Sequence, residues 1–255
     1  MNTNLILILI VAALVGASSG YLGSFMVLKR MSLVGDALSH VALPGIAVAL
    51  TFGINPMLGA LLALILATFG IWYLGEHSEV YPEALVGIFF TASLSIGLLI
   101  TPEPELLEAL FGDIDKIGVT DGVMTIIGAL VIFVFTLAIS KKLILGIVSE
   151  DLAKSQGINV SKINLAYLLL VALVVALGVK FLGTLLTGAM VIIPAVAAKN
   201  LSKSIMQFQW LAVVLGVVSA ILGIFTAKYF VISSGPAVVL VSVFLFLLSY
   251  IFKSK

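Results

Sequence analysis

Residues 122–140 read GVMTIIGALVIFVFTLAIS, a run without a charged side chain that stops at the paired bases Lys141 and Lys142. About 20 apolar residues are needed for a helix to cross about 30 Å of hydrocarbon, and a basic flank marks where such a helix meets the membrane surface. Eight further stretches of the same kind lie near 4–26, 33–53, 57–75, 84–101, 163–181, 183–198, 207–230 and 236–252. Over the whole chain 62% of residues are hydrophobic and only 10% charged, where a soluble domain carries about a quarter charged. A membrane β-barrel would show short alternating segments instead of long apolar runs. The reading is therefore all-α: a polytopic transmembrane helical bundle with about eight or nine spanning helices, forming a single transmembrane domain over residues 1–255.

The loops give an orientation. LILILIVAALVGASS resembles a secretory signal in its small-residue end, but no Lys or Arg precedes it, so it reads as a retained first helix. If Lys29 and Arg30 are cytoplasmic, alternation places Lys141, Lys142, Lys154, Lys162, Lys199, Lys203, Lys253 and Lys255 on the same side, ten of the thirteen basic residues. The amino terminus then lies outside and the carboxyl terminus in the cytoplasm. The segment from Glu103 to Asp121, with six carboxylates, faces out, where it either attracts cations, docks a basic partner surface or is simply solvated. No cysteine is present, which excludes a disulfide and a thiolate metal site. A GxxxxGK[ST] loop is also absent, so ATP-driven work would need a partner.

One stretch carries chemistry into the bilayer. GDALSHVALPG, residues 35–45, sets Asp36 and His40 four positions apart, on one helix face and about 6 Å apart along the axis. A carboxylate with an imidazole suits Mn(II), Fe(II) or Zn(II), and ionisable groups within a membrane mark ion pathways. Two ligands fall short of the four that close a structural zinc site, as a transit site requires. Pro44 lacks the N–H that would bond the His40 carbonyl and so frees that oxygen. It could join a coordination shell or mark a packed kink. The competing reading makes Asp36 an anchor of the interfacial turn, with His40 hydrogen-bonded to it.

Other features are less specific. Pro194, in GTLLTGAMVIIPAVAAKN, frees the Met190 carbonyl among Gly183, Thr184, Thr187 and Gly188, which either line a pathway or pack helices. Gly16 and Gly20, with Ser18, Ser19 and Gly23, make a small-residue face suited to close helix packing within the bundle. His77 falls in a short acidic loop and reads as solvated. In the inner segment GIVSEDLAKSQGINVSK, Ser149 suits an N-cap, Glu150 and Asp151 a first turn, Lys154 a last turn and Gly157 a left-handed C′ position. These residues specify a short helix outside the bilayer.

Taken in order, MVLKRMSLVGDALSHVALPGIA, ALVGIFFTASLSIG, LFGDIDKIGVTDG, SEDLAKSQGI, KFLGTLLTGAMVIIPAVAA and SSGPAVVLVSVFLF resemble the ABC-3 family of manganese, zinc and iron transport permeases. The likeness covers nearly the whole chain. It implies a fold similar to the permeases of vitamin B12 and siderophore importers, with fewer helices. It also implies an inner-membrane importer in which two permease copies form the pathway, cytoplasmic ABC ATPase subunits drive it and an extracytoplasmic metal-binding protein delivers the ion. No permanent cofactor is implied, only a transported divalent metal, and no nucleic-acid partner. By position Asp36 and His40 match the family's metal-handling pair, while Glu150, Asp151, Ala153 and Gly157 fall in its ATPase-docking segment. Thr91 aligns where some zinc-type members place a histidine, and the SHVALPG wording is closer to the manganese and iron branch.

Three rival classes remain. Asp36 could couple protons in a secondary metal transporter. The chain could instead pass an organic metal chelate through a wider cavity. An intramembrane metalloprotease lacks support, because there is no HExxH motif and only two histidines.

Overall fold

A computed structural model of the chain describes residues 3–100 and 118–252. They form helices and connecting turns, with no strand among the described residues. In chain order the helices are α1 (Thr3–Leu28), α2 (Val34–Thr51), α3 (Pro56–His77), α4 (Pro82–Ile100), α5 (Val119–Val148), the short α6 (Glu150–Ser155), α7 (Val160–Leu182), α8 (Thr184–Leu201), α9 (Ile205–Phe230) and α10 (Ser234–Ile251). Among the described residues, eight are long and apolar enough to cross a membrane, and α8 carries a shorter apolar stretch, Thr187–Leu201. The outer acidic segment falls mostly at 101–117, outside the described residues.

Two sequence expectations shift. The run at 122–140 is the middle of a longer helix: α5 continues through Lys141 and Lys142 to Val148. Lysine is a good helix former, and both lysines are exposed, so their charged heads stay out of the packed interior while the backbone continues. His77 is the last residue of α3 rather than a loop residue. Its Nδ1 lies 2.8 Å from the Tyr73 carbonyl, and its ring stacks on Tyr73 at 4.3 Å.

Glycines set where the helices touch. A Cβ on Gly16 would strike the Gly216 carbonyl and one on Gly216 would strike the Gly16 carbonyl, while Gly20 abuts the Ala212 carbonyl. The GxxxG face thus locks α1 onto α9, inside the bundle. Gly45 and Gly59 do the same between α2 and α3, and Gly23 brings α1 against Val191 of α8. Gly183, at φ +76°, allows α7 to turn directly into α8, and Thr187 then fits against Gly178. Thr184 and Thr187 are fully buried there, so they pack helices instead of lining an open surface.

The result places α2 at the centre, against α3, α4, α7 and α8. Of its apolar stretch 61% is buried, against 22% for α4. One end of the bundle gathers the last turns of α1, α3 and α5 with α6 and the first turns of α7. There Lys29 Nζ donates to Asn164 Oδ1, Trp72 Nε1 donates to Ser161 Oγ at 3.0 Å, and Lys154 pairs with Glu150 at 2.9 Å. This is the grouping that alternating spans demand.

Candidate metal-transit site

Helix α2 begins without a side-chain cap: its N-cap is Leu33, and Asp36 sits in the first turn. Asp36 is therefore not the N-cap of α2. Its carboxylate lies where the free N–H groups of the helix start favour negative charge. Ser39 Oγ donates to the Asp36 backbone carbonyl at 2.6 Å, leaving the carboxylate out of that bond. One turn on, His40 is half-buried and packs edge-on against Phe90 of α4, with ring centroids 5.2 Å apart at 68°. Its Nδ1 is buried with no hydrogen-bond partner among the described residues. An unmatched buried polar nitrogen costs about 1–3 kcal/mol, and a cation or its bound water would remove that deficit.

Neighbouring helices hold this face from two sides. Gly188 of α8 lies so close that a Cβ there would stand 2.5 Å from the Asp36 Cα and 2.6 Å from its backbone nitrogen. On the other side Gly97 of α4 covers the proline notch: its Cβ would stand 3.1 Å from the Leu43 Cβ and 3.5 Å from the Pro44 Cδ. The proline ring is thus packed against α4, and its missing N–H leaves the His40 carbonyl without that helix bond. Thr91 is exposed on α4, bonds the Gly87 carbonyl at 2.9 Å, and leaves the contact with His40 to its neighbour Phe90. Pro194 is buried in α8, six residues or about 9 Å along the axis from Gly188.

No group of three or more His, Cys, Asp or Glu side chains able to hold a metal occurs among the described residues. Among the described residues Asp36 and His40 would thus offer two side-chain donors to an ion. Such a set replaces only part of an ion's hydration, which suits an ion that has to leave again.

The short helix α6 forms as its residues dictate. Ser149 Oγ accepts the Leu152 N–H at 3.2 Å. Gly157 adopts φ +74°, and its N–H and that of Ile158 close onto the carbonyls of Lys154 and Ala153. Ala153 is fully buried and fixes the helix to the bundle, while Leu152 stays 47% exposed beside the exposed Glu150 and Asp151. The Glu150 carboxylate, through its hydrogen bond and its charge, raises the Lys154 pKa above the ordinary lysine value. At the end of α1, burial lowers the pKa of Lys29, an effect that attraction from Glu150 partly offsets.

The profile of the ABC 3 transport family matches residues 1–253. The chain belongs to the ABC 3 transport family. Family membership makes it a membrane transport subunit, not an enzyme. It is 33% identical to the manganese transport system membrane protein MntC of Listeria monocytogenes over 251 residues, covering 97% of this chain and 90% of that protein. It is also 33% identical to the high-affinity zinc uptake system membrane protein ZnuB of Haemophilus influenzae over 240 residues, covering 92% and 91%. Among solved structures, PsaBC from Streptococcus pneumoniae in complex with Fab superposes with a TM-score of 0.86 at 30% identity, over 98% of this chain and 92% of that one. An inward-facing metal-chelate type ABC transporter shares the fold, with a TM-score of 0.72 at 19% identity over 96% of this chain and 84% of that one.

Within this ABC 3 family chain, Asp36 and His40 were legible from their spacing, but the residues that press on them were not. Gly188 and Phe90 lie on helices far away in sequence. The only hint of the first was the cluster of small residues at 183–188, and Phe90 gave no signal at all.

Proposed function

We propose that this chain is the membrane permease of an ATP-driven importer of manganese, zinc or iron, and that Asp36 and His40 form the site where the ion pauses. The observation that carries the reading is the half-buried imidazole of His40, one turn from Asp36 on the centrally placed α2, with its buried Nδ1 left unbonded among the described residues. Its family and its manganese- and zinc-system relatives support the class of cargo. The donor set, a carboxylate and an imidazole with carbonyl or water oxygens and no thiolate, suits Mn(II), Fe(II) or Zn(II).

In this account two copies of the permease enclose the pathway in a bacterial inner membrane, with the amino terminus outside and the carboxyl terminus in the cytoplasm. An extracytoplasmic binding protein delivers the metal. Cytoplasmic ATPase subunits dock on the segment Ser149–Gly157, where exposed Leu152 offers an apolar contact next to Glu150 and Asp151. Nucleotide-driven closure then favours one arrangement of the bundle over the other through differential affinity, the only way a bound partner shifts such an equilibrium.

The test is metal uptake by the complete complex in proteoliposomes. Asp36→Ala and His40→Ala are expected to abolish uptake while the ATPase still copurifies. Wild-type uptake in both variants would remove the site. Uptake that follows a proton gradient without the ATPase would establish the secondary-transport alternative, and uptake of an intact organic chelate with exclusion of the bare ion would establish the other.

A further inference from the structure

Lys29 is a cation where none is needed for solubility. It follows the last residue of α1, is half-buried, and donates to Asn164 Oδ1 on α7, with Nζ 5.4 Å from the centroid of the Tyr167 ring. Tyr167 is fully buried and packs edge-on against Phe25 of α1. Glu150, the first residue of α6, exerts an attraction on the same ammonium. Two helices thus meet at one side chain, the end of α1 and the second turn of α7, with the carboxylate that opens the short helix attracting it. A methionine would fill that space without the cost of desolvating a charge. What the charge adds is a fixed geometry, the best-attested use of a buried polar group.

The position of Lys29 in the chain gives that geometry a consequence. Val34, where α2 begins, lies five positions on, and Asp36 seven. The turn between is pinned by Arg30 at φ +60°, with its N–H on the Val27 carbonyl and that of Met31 on the Met26 carbonyl. A parallel strut runs from the same face of α7: Ser161 accepts from Trp72 at the end of α3, and α3 is locked to α2 through Gly59 and Gly45. Ser161, Asn164 and Tyr167 recur every three residues, along one side of α7. Only Gln156 to Asn159 separate α7 from α6, and the Ile158 N–H is bonded back to the Ala153 carbonyl. A tilt of α6 therefore carries the base of α7 with it.

We propose that Lys29, held by Asn164 and Tyr167, is the positioning residue that transmits movement of the ATPase-facing helix to the turn leading into the metal-bearing helix. This rests on the function proposed above. The experiment measures manganese transported per ATP hydrolysed by the complete complex in proteoliposomes, with ATPase copurification and equilibrium manganese binding recorded in parallel. Lys29→Met and Asn164→Leu should each retain the ATPase and bind manganese normally, yet lose about tenfold in manganese moved per ATP, within the range of coupling changes made by residues that touch neither ligand. The double variant should lose no more than either single one, because both remove the same link, and Lys29→Arg, which keeps a donor, should recover most of the ratio. An unchanged ratio in the single variants, or a double loss equal to their product, overturns the proposal. If Lys29→Met fails to assemble, Asn164→Leu decides alone by the same ratio. A wild-type complex without ATP-driven uptake would refute the proposed function itself, before any variant is compared.

Discussion

Replacing Gly188 with alanine should injure transport without destroying the fold. The added Cβ would stand 2.5 Å from the Asp36 Cα, 2.6 Å from its nitrogen and 2.8 Å from its Cβ. Ordinary carbon contacts are about 3.5–4.0 Å, so α8 and α2 must part by roughly 1 Å, and no side-chain rotation can absorb a clash with backbone. Overpacking of this kind costs about 1–3 kcal/mol, while alanine gains about 1 kcal/mol over glycine within a helix. The net penalty, near 0 to 2 kcal/mol, leaves a folded protein with Asp36 displaced. Loss of support around a metal ligand typically lowers affinity about 10–100-fold. The assay is the manganese concentration giving half-maximal uptake in proteoliposomes, with Gly87→Ala as the control because a Cβ there meets nothing within 4 Å. Equal half-saturation in Gly188→Ala, Gly87→Ala and wild type would refute the claim that α8 positions Asp36.

Three further outcomes follow from other parts of the molecule. Ser149→Ala removes the oxygen that accepts the Leu152 N–H and should cost α6 about 1 kcal/mol, seen as weaker ATPase copurification with manganese binding unchanged. Val231, 91% exposed, holds a β-branched side chain at φ +54° after α9, so Val231→Gly should raise the thermal unfolding midpoint through a gain of about 1 kcal/mol. The Lys29 pKa is lowered by burial, so the unfolded chain holds that proton to higher pH than the folded one. Its penalty is fully present at neutral pH and lifts as pH rises from the depressed value towards the ordinary lysine value. Thermal scans at alkaline pH should show stability rising more in wild type than in Lys29→Met.

What could be read in the sequence was what local chemistry decides. Long uncharged runs gave the spans, and the capping signals from Ser149 to Gly157 gave a six-residue helix with its termini in place, because each cap involves residues within one turn. Gly16 and Gly20 announced a close helix contact, although not that its partner was Gly216. Where a signal lay in tertiary packing, the sequence was silent or misleading. Lys141 and Lys142 looked like the end of a span, yet a helix outlasts the apolar stretch when its lysines are exposed. Lys29 counted only as a basic flank until folding set it against Asn164, 135 residues away. The pair at Asp36 and His40 was visible, but its backing by Gly188 and Phe90 depends on three helices meeting.

The most direct test of the central claim uses the fact that the chain has only two histidines. Pulsed electron paramagnetic resonance of Mn(II) bound to the purified permease in lipid nanodiscs reports nitrogen in the metal's coordination shell. Modulation from an imidazole nitrogen should appear in wild type, persist in His77→Ala and vanish in His40→Ala, with Asp36→Ala weakening manganese binding. Bound manganese without any nitrogen coupling, or coupling that disappears only in His77→Ala, would contradict the account.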